Sequence, residues 1–159
     1  MSDILEAGKK IRDRKVTLTD GSEKKLSELA GRNGLVLYFY PKDSTPGCTT
    51  EACDFRDNLS RLKTKGYSVV GVSPDPVKSH RKFTEKQKLN FPLIADEDRK
   101  LCESMGVYGE KKLYGRTYMG VYRTTFLVTP DLKIQQVYKN VKVKGHVEQI
   151  LKDVAVHTK

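Results

Sequence analysis

Three side chains in the sequence are able to act as sulfur nucleophiles: Cys48, Cys53 and Cys102. Cys48 follows Pro46-Gly47 and stands where a helical apolar pattern begins. A helix start carries about half a positive charge and several unpaired N–H groups. Both favour the thiolate over the thiol, and the thiolate is the reactive form. Thr45, three residues earlier, offers a hydroxyl to the sulfur or to an incoming oxygen. Pro41 and Pro46 fix φ and remove backbone donors, which stiffens the loop. The competing reading is a small buried residue. The Pro, Thr, Pro and Gly around Cys48 weigh against it.

Cys53 lies five residues on, in a Cys-x-x-x-x-Cys pattern instead of the Cys-x-x-Cys of thioredoxin itself. On an intact helix five residues rise ~7.5 Å and turn ~140°, so the two Cα atoms stand ~8–9 Å apart. A disulfide needs them within ~7 Å. Two alternatives stay open at this point. Either Cys53 is a core residue that never pairs, or it pairs with Cys48 when the first turns unwind. Cys102 sits in an amphipathic turn, Leu101 to Met105, and reads as packing. His80, His146 and His157 are far apart and form no metal-ligand spacing. They read as surface or helix residues, and no metal or other cofactor is expected. There is no glycine-rich phosphate loop and no Gly-x-Ser-x-Gly elbow.

The elements that must position Cys48 follow from periodicity. Residues 35–40 are an unbroken apolar run, which predicts a buried strand. From 49 to 65, Ala52, Phe55, Leu59 and Leu62 recur at helical spacing, and Gly66 closes the helix. A second strand is predicted at 67–73, a polar helix at 77–88, a short strand at 91–95 and a short helix at 98–105. A hairpin at 124–138 turns at Pro130-Asp131, and Gly145 precedes a last helix. A small hairpin turning at Asp20-Gly21 is expected near the N-terminus. This order makes a single α/β domain over 1–159, a central mixed β-sheet flanked by helices. The crossover rule makes its first two core strands parallel. In such sheets, functional groups gather where a strand's carboxyl end feeds a helix. Cys48 lies at the first such junction.

Composition narrows the function classes. The chain has 159 residues, enough for one domain with its own core. Three cysteines, an odd number, argue against a secreted disulfide scaffold. Residues 1–7 contain Asp3 and Glu6 and no apolar run, so neither a signal peptide nor a membrane partner is expected, and a reducing cytoplasmic setting is. The net charge of +10 raises the question of nucleic acid. The basic residues are scattered in pairs, however, which reads as a solvated surface.

The segment from Tyr38 to Cys53, with Pro41, Thr45 and Cys48 in a Pro-x-x-x-Thr-x-x-Cys core, resembles the active-site loop of peroxiredoxins. It is most similar to the bacterioferritin-comigratory-protein, or peroxiredoxin Q, group. The resemblance continues through Gly109 to Gly115 and Gly120 to Leu127 and covers nearly the whole chain. It implies a thioredoxin-like fold and thiol-dependent reduction of hydrogen peroxide and organic hydroperoxides. Cys48 would be the peroxidatic cysteine, Thr45 would orient sulfur and peroxide, and Pro41 would shield the site. Arg123 would reach the pocket from a neighbouring strand, and Cys53 would be the resolving cysteine. Thioredoxin or a similar dithiol would be the reductant, without metal, haem or flavin. Cys102 is not part of the motif, which leaves an alternative disulfide conceivable. With no cysteine after Cys102, a monomer is expected.

Overall fold

The longest apolar run becomes the middle of the sheet. A computed structural model of the chain describes residues 3–158. It begins with β1 (Lys15–Thr17) and β2 (Glu23–Lys25), followed by a 3-10 turn, Leu26–Leu29. The core unit is β3 (Gly34–Phe39), α1 (Pro46–Thr64), β4 (Tyr67–Ser73), α2 (Val77–Gln87) and β5 (Leu93–Ala95). Then come α3 (Lys100–Ser104), the hairpin β6 (Tyr108–Leu113) and β7 (Arg116–Val121), β8 (Thr124–Val128), β9 (Ile134–Tyr138) and α4 (His146–His157).

The central sheet has five strands in the order β5-β4-β3-β8-β9. β3 and β4 are parallel, as the crossover rule requires, whereas β8 runs antiparallel to β3. The sheet is mixed and sits between two layers. Successive side chains of β3 point to opposite faces. Leu35, Leu37 and Phe39 pack with Leu101, Cys102 and Met105 on one face. Val36, Tyr38 and Tyr40 pack on the other with Cys48, Ala52 and Phe55 of α1 and Val147 and Ile150 of α4. Both faces of β3 are therefore buried, and its sequence has no polar alternation.

Two differences from the expected elements matter for the site. α1 begins at Pro46, three residues before the expected start, because proline fits the first helical position, where its missing N–H is not needed. Cys48 is thus the third residue of the helix and lies inside its first turn. The β6–β7 hairpin was not expected as an element. Its turn residues Tyr114 and Gly115 take left-handed φ of 50° and 78°, the signature of a tight two-residue turn. Most of the hairpin is exposed, so it carries no hydrophobic alternation that periodicity could detect.

Candidate active site

Strand register brings the reactive groups together. Phe39, the last residue of β3, pairs with Thr124, the first of β8. Arg123, one residue before Thr124, therefore stands beside the chain leaving β3 through Tyr40 and Pro41. That chain turns into α1 and delivers Cys48 to the same point. Arg123 Nη2 donates to Cys48 Sγ at 3.3 Å, and Nη1 donates to a Glu51 carboxylate oxygen at 2.6 Å. One guanidinium thus spans both acceptors in its fixed fork. Gly47 makes room for it, since a Cβ there would stand 3.3 Å from Arg123 Nη2.

The sulfur sits in a positive, largely dry environment. Cys48 is 1% exposed and contacts the apolar cluster beneath α1. Thr45 caps the helix in an extended conformation, and its carbonyl accepts the Thr49 N–H at 2.8 Å. The amides of Gly47 and Cys48 precede that first helical bond and have no acceptor within the helix. Unpaired amides at a helix start are the kind of donor that stabilises charge developing on an oxygen. The Thr45 hydroxyl donates to the Lys42 carbonyl at 2.9 Å. Its hydrogen is thereby committed to the loop, and its lone pairs remain able to accept from a peroxide O–H.

Sequence reasoning missed Glu51. It lies in the first turns of α1 and is fully buried. Burial pushes its carboxyl up to about 7, against the opposing pull of Arg123. Its second oxygen and the Tyr38 hydroxyl are both buried without a protein partner. A glutamate near a helix start ordinarily reads as a favourable surface charge. Only its spacing of three from Cys48, on the same helix face, could have hinted at burial.

The loop between β3 and α1 is held by more than its prolines. Asp43 accepts from the Tyr40 hydroxyl at 2.6 Å and from the Ser79 hydroxyl at 2.8 Å. It is also hydrogen-bonded to His80 Nδ1 at 2.7 Å, while His80 Nε2 donates to the Ile94 carbonyl at 2.9 Å. The Asp43 N–H donates to Asp75 at 2.8 Å. Asp43, Asp75 and His80 place ligand-type atoms within 4.8 Å of one another. Both His80 nitrogens are already engaged, so the group braces the loop against α2 and β5 instead of presenting a free ligand set. His80 and His146 lie on helices, as expected, but both are buried and neither faces solvent.

The other two cysteines lie elsewhere. Cys53 is half-buried on α1, 3.5 Å from the Gln87 side-chain oxygen on α2. All three cysteines are free thiols. α1 is continuous through both Cys48 and Cys53, so the ~8–9 Å separation of an intact helix holds between them. Cys102 packs on the opposite face of the sheet from Cys48. A Cys48–Cys102 bridge would have to cross the sheet.

Comparison with known proteins agrees with this geometry. The AhpC/TSA family profile matches residues 7–137. A peroxiredoxin Bcp from Xanthomonas campestris is 42% identical over 156 residues, covering 98% of this chain and 97% of the relative. The Escherichia coli K12 peroxiredoxin Bcp is 44% identical over 138 residues, covering 87% and 88%. Among solved structures, the Xanthomonas campestris bacterioferritin comigratory protein, studied for alkyl peroxide reduction, superposes with a TM-score of 0.87 at 39% identity and full coverage of both chains. A Xylella fastidiosa peroxiredoxin Q mutant superposes with a TM-score of 0.92 at 37% identity, also over both whole chains. The chain therefore belongs to the AhpC/TSA family, within its Bcp/peroxiredoxin Q group of peroxiredoxins.

Proposed function

We propose that the protein is a thiol peroxidase that reduces hydrogen peroxide and organic hydroperoxides at Cys48. One observation carries this reading: a buried cysteine in the first turn of a helix, 3.3 Å from a guanidinium, at the carboxyl end of a sheet strand. The Cys48 thiolate attacks one peroxide oxygen. An S–O bond forms, the O–O bond breaks, and the leaving hydroxide or alkoxide departs as water or alcohol after taking up a proton. Arg123 and the Gly47 and Cys48 amides stabilise the charge that develops on the oxygens. Thr45 accepts from the peroxide O–H and orients it, and Pro41 shields the site from water.

The product is a sulfenic acid on Cys48, which condenses readily with a thiol. Cys53 attacks that sulfur, a disulfide forms and water leaves. This requires the start of α1 to unwind, for the geometric reason given above. Thioredoxin or a similar dithiol then restores both thiols by exchange. A monomer is the proposed working form, and one chain suffices for the cycle because both of its cysteines lie on one helix. Among the described residues, no helix is long and apolar enough to cross a membrane. Peroxide consumption with a thioredoxin system, wild type beside Cys48→Ser, tests the reading. Consumption that depends on Cys48 is expected, and equal consumption by the variant would reject it.

A further inference from the structure

α1 and α2 are tied together where α2 ends. Gln87 is the last residue of α2, and Lys88 after it takes a left-handed φ of 53°. The last carbonyls of a helix have no partner within it. Arg56 Nη1 donates to the Gln87 carbonyl at 2.6 Å and satisfies one of them. The Gln87 side-chain oxygen accepts from the Cys53 thiol at 3.5 Å. Cys53 and Arg56 stand three apart on α1, so they share a face of the helix and reach the same residue. The Asn90 side-chain amide adds a bond to the Arg56 carbonyl at 3.2 Å.

These bonds fall on opposite sides of the point where α1 has to open. Cys53 belongs to the part that must unwind before it can reach Cys48. Arg56 follows Phe55, whose ring stacks on Tyr38 of β3 with centroids 4.5 Å apart, and belongs to the part that stays. The Cys53–Gln87 bond lasts only while Cys53 keeps both its thiol hydrogen and its place on the helix. A thiol donates weakly and a thiolate has no hydrogen to give. Attack on Cys48 therefore means leaving Gln87, whereas the Arg56 bonds survive the same opening.

We propose that Gln87 is the positioning residue of the resolving cysteine. Its side chain holds Cys53 on the helix and so slows its attack, and its carbonyl, through Arg56, fixes where the unwinding ends. The proposal rests on the reading of Cys53 as the resolving cysteine and adds what times that step. In the step the Cys53 sulfur bonds to the Cys48 sulfur, the Cys48 S–O bond breaks, and the hydroxyl leaves as water with the Cys53 proton. Until then the sulfenic acid stays open to a second hydrogen peroxide, which adds one oxygen to the sulfur and leaves a sulfinic acid and water. A tighter hold on Cys53 lengthens that exposure and a looser one shortens it.

The test follows the whole chain by rapid-quench mass spectrometry after mixing with hydrogen peroxide. Oxidation of Cys48 scales with peroxide concentration and disulfide formation does not, so the two steps separate. Gln87→Met keeps the length of the side chain and removes its oxygen acceptor. It should leave the oxidation rate constant unchanged and form the Cys48–Cys53 disulfide about threefold faster, the size of one weak hydrogen bond. It should also collect less sulfinic acid at excess peroxide. Gln87→Glu keeps an acceptor oxygen and should form the disulfide no faster than wild type. In oxidised Arg56→Met, fast amide exchange should spread beyond residue 54, where it stops in wild type. An unchanged disulfide rate in Gln87→Met would overturn the proposal. Equal acceleration by Gln87→Glu would overturn it too, because the side chain would then act only through packing. Exchange that still ends at residue 54 in Arg56→Met would overturn its second half. A wild type that forms no Cys48–Cys53 disulfide would instead overturn the reading of Cys53 on which the proposal depends.

Discussion

Cys48 and Cys102 are equally hidden, at 1% and 0% exposure, yet their surroundings are opposite. Cys48 faces a guanidinium and the open amides of a first helical turn. Cys102 faces the Asp96 carboxylate, which accepts from the Cys102 N–H at 2.8 Å. Burial, and then that carboxylate, push the Cys102 thiol far up. Reactivity here is set by the sign of the charge beside the sulfur and not by its exposure. The sheet keeps the two environments apart.

The strongest way to break this comparison is to remove each sulfur in turn. Cys48→Ser should abolish peroxide consumption, whereas Cys102→Ser should keep it. A reversed pattern would place the chemistry on the wrong face of the sheet. The next test removes the charge. Arg123→Met should slow oxidation of Cys48 by about 100-fold, as loss of one charge-stabilising donor typically does. Arg123→Lys should recover only part of that, because an ammonium cannot span Sγ and Glu51 together. An unchanged rate constant for Arg123→Met would remove the guanidinium from the account.

A third expectation concerns the partner of Cys48. Peroxide-treated protein should show a Cys48–Cys53 disulfide by non-reducing peptide mapping, with faster amide exchange at residues 49–54. Opening must release Glu51 from Arg123 and Cys53 from Gln87. Unwinding that stops at Asp54 leaves Phe55 stacked on Tyr38 with centroids 4.5 Å apart, which limits the apolar exposure. A Cys48–Cys102 product would exclude Cys53, and unchanged amide exchange would exclude the unwinding.

Glu51 sharpens the comparison through pH. Its carboxyl is raised from 4.5 to about 7, so the folded state holds a proton that the unfolded state releases between those values. Its contribution to stability is therefore fully present below about pH 4.5 and is lost as pH rises through about 7. Linkage makes that loss about 3 kcal/mol. Glu51→Gln should gain stability relative to wild type over this range, followed by urea unfolding at several pH values. A pH-independent difference would mean that Glu51 ionises normally. The smallest expected effect is at the far face of the sheet. Cys102→Ala should cost about 1 kcal/mol of stability, measured the same way, because it only removes buried packing.

These effects also show which parts of the site periodicity and local chemistry could reach. β3 and the helix after it were legible because an apolar run and a 3.6-residue pattern report burial directly. Cys48 was legible because its Pro-Gly context marks a helix start. Arg123 was found only through resemblance, since its approach to Cys48 depends on the Phe39–Thr124 register, a pairing between distant segments. Glu51 was missed because a glutamate's residue type does not mark burial, and the Arg123 contact that accompanies its burial comes from the same distant segment. The Asp43–His80 brace joins residues 37 apart through side-chain hydrogen bonds, which no local pattern encodes. The β6–β7 hairpin escaped for the opposite reason, as its largely exposed strands have no core to imprint a period.

The most direct measurement asks which sulfur receives the oxygen. Cys53→Ser protein treated with one equivalent of hydrogen peroxide and trapped with dimedone should carry a single adduct, mapped to Cys48. An adduct on Cys102, or its absence from Cys48, would contradict the claim that the charge beside the sulfur selects the nucleophile.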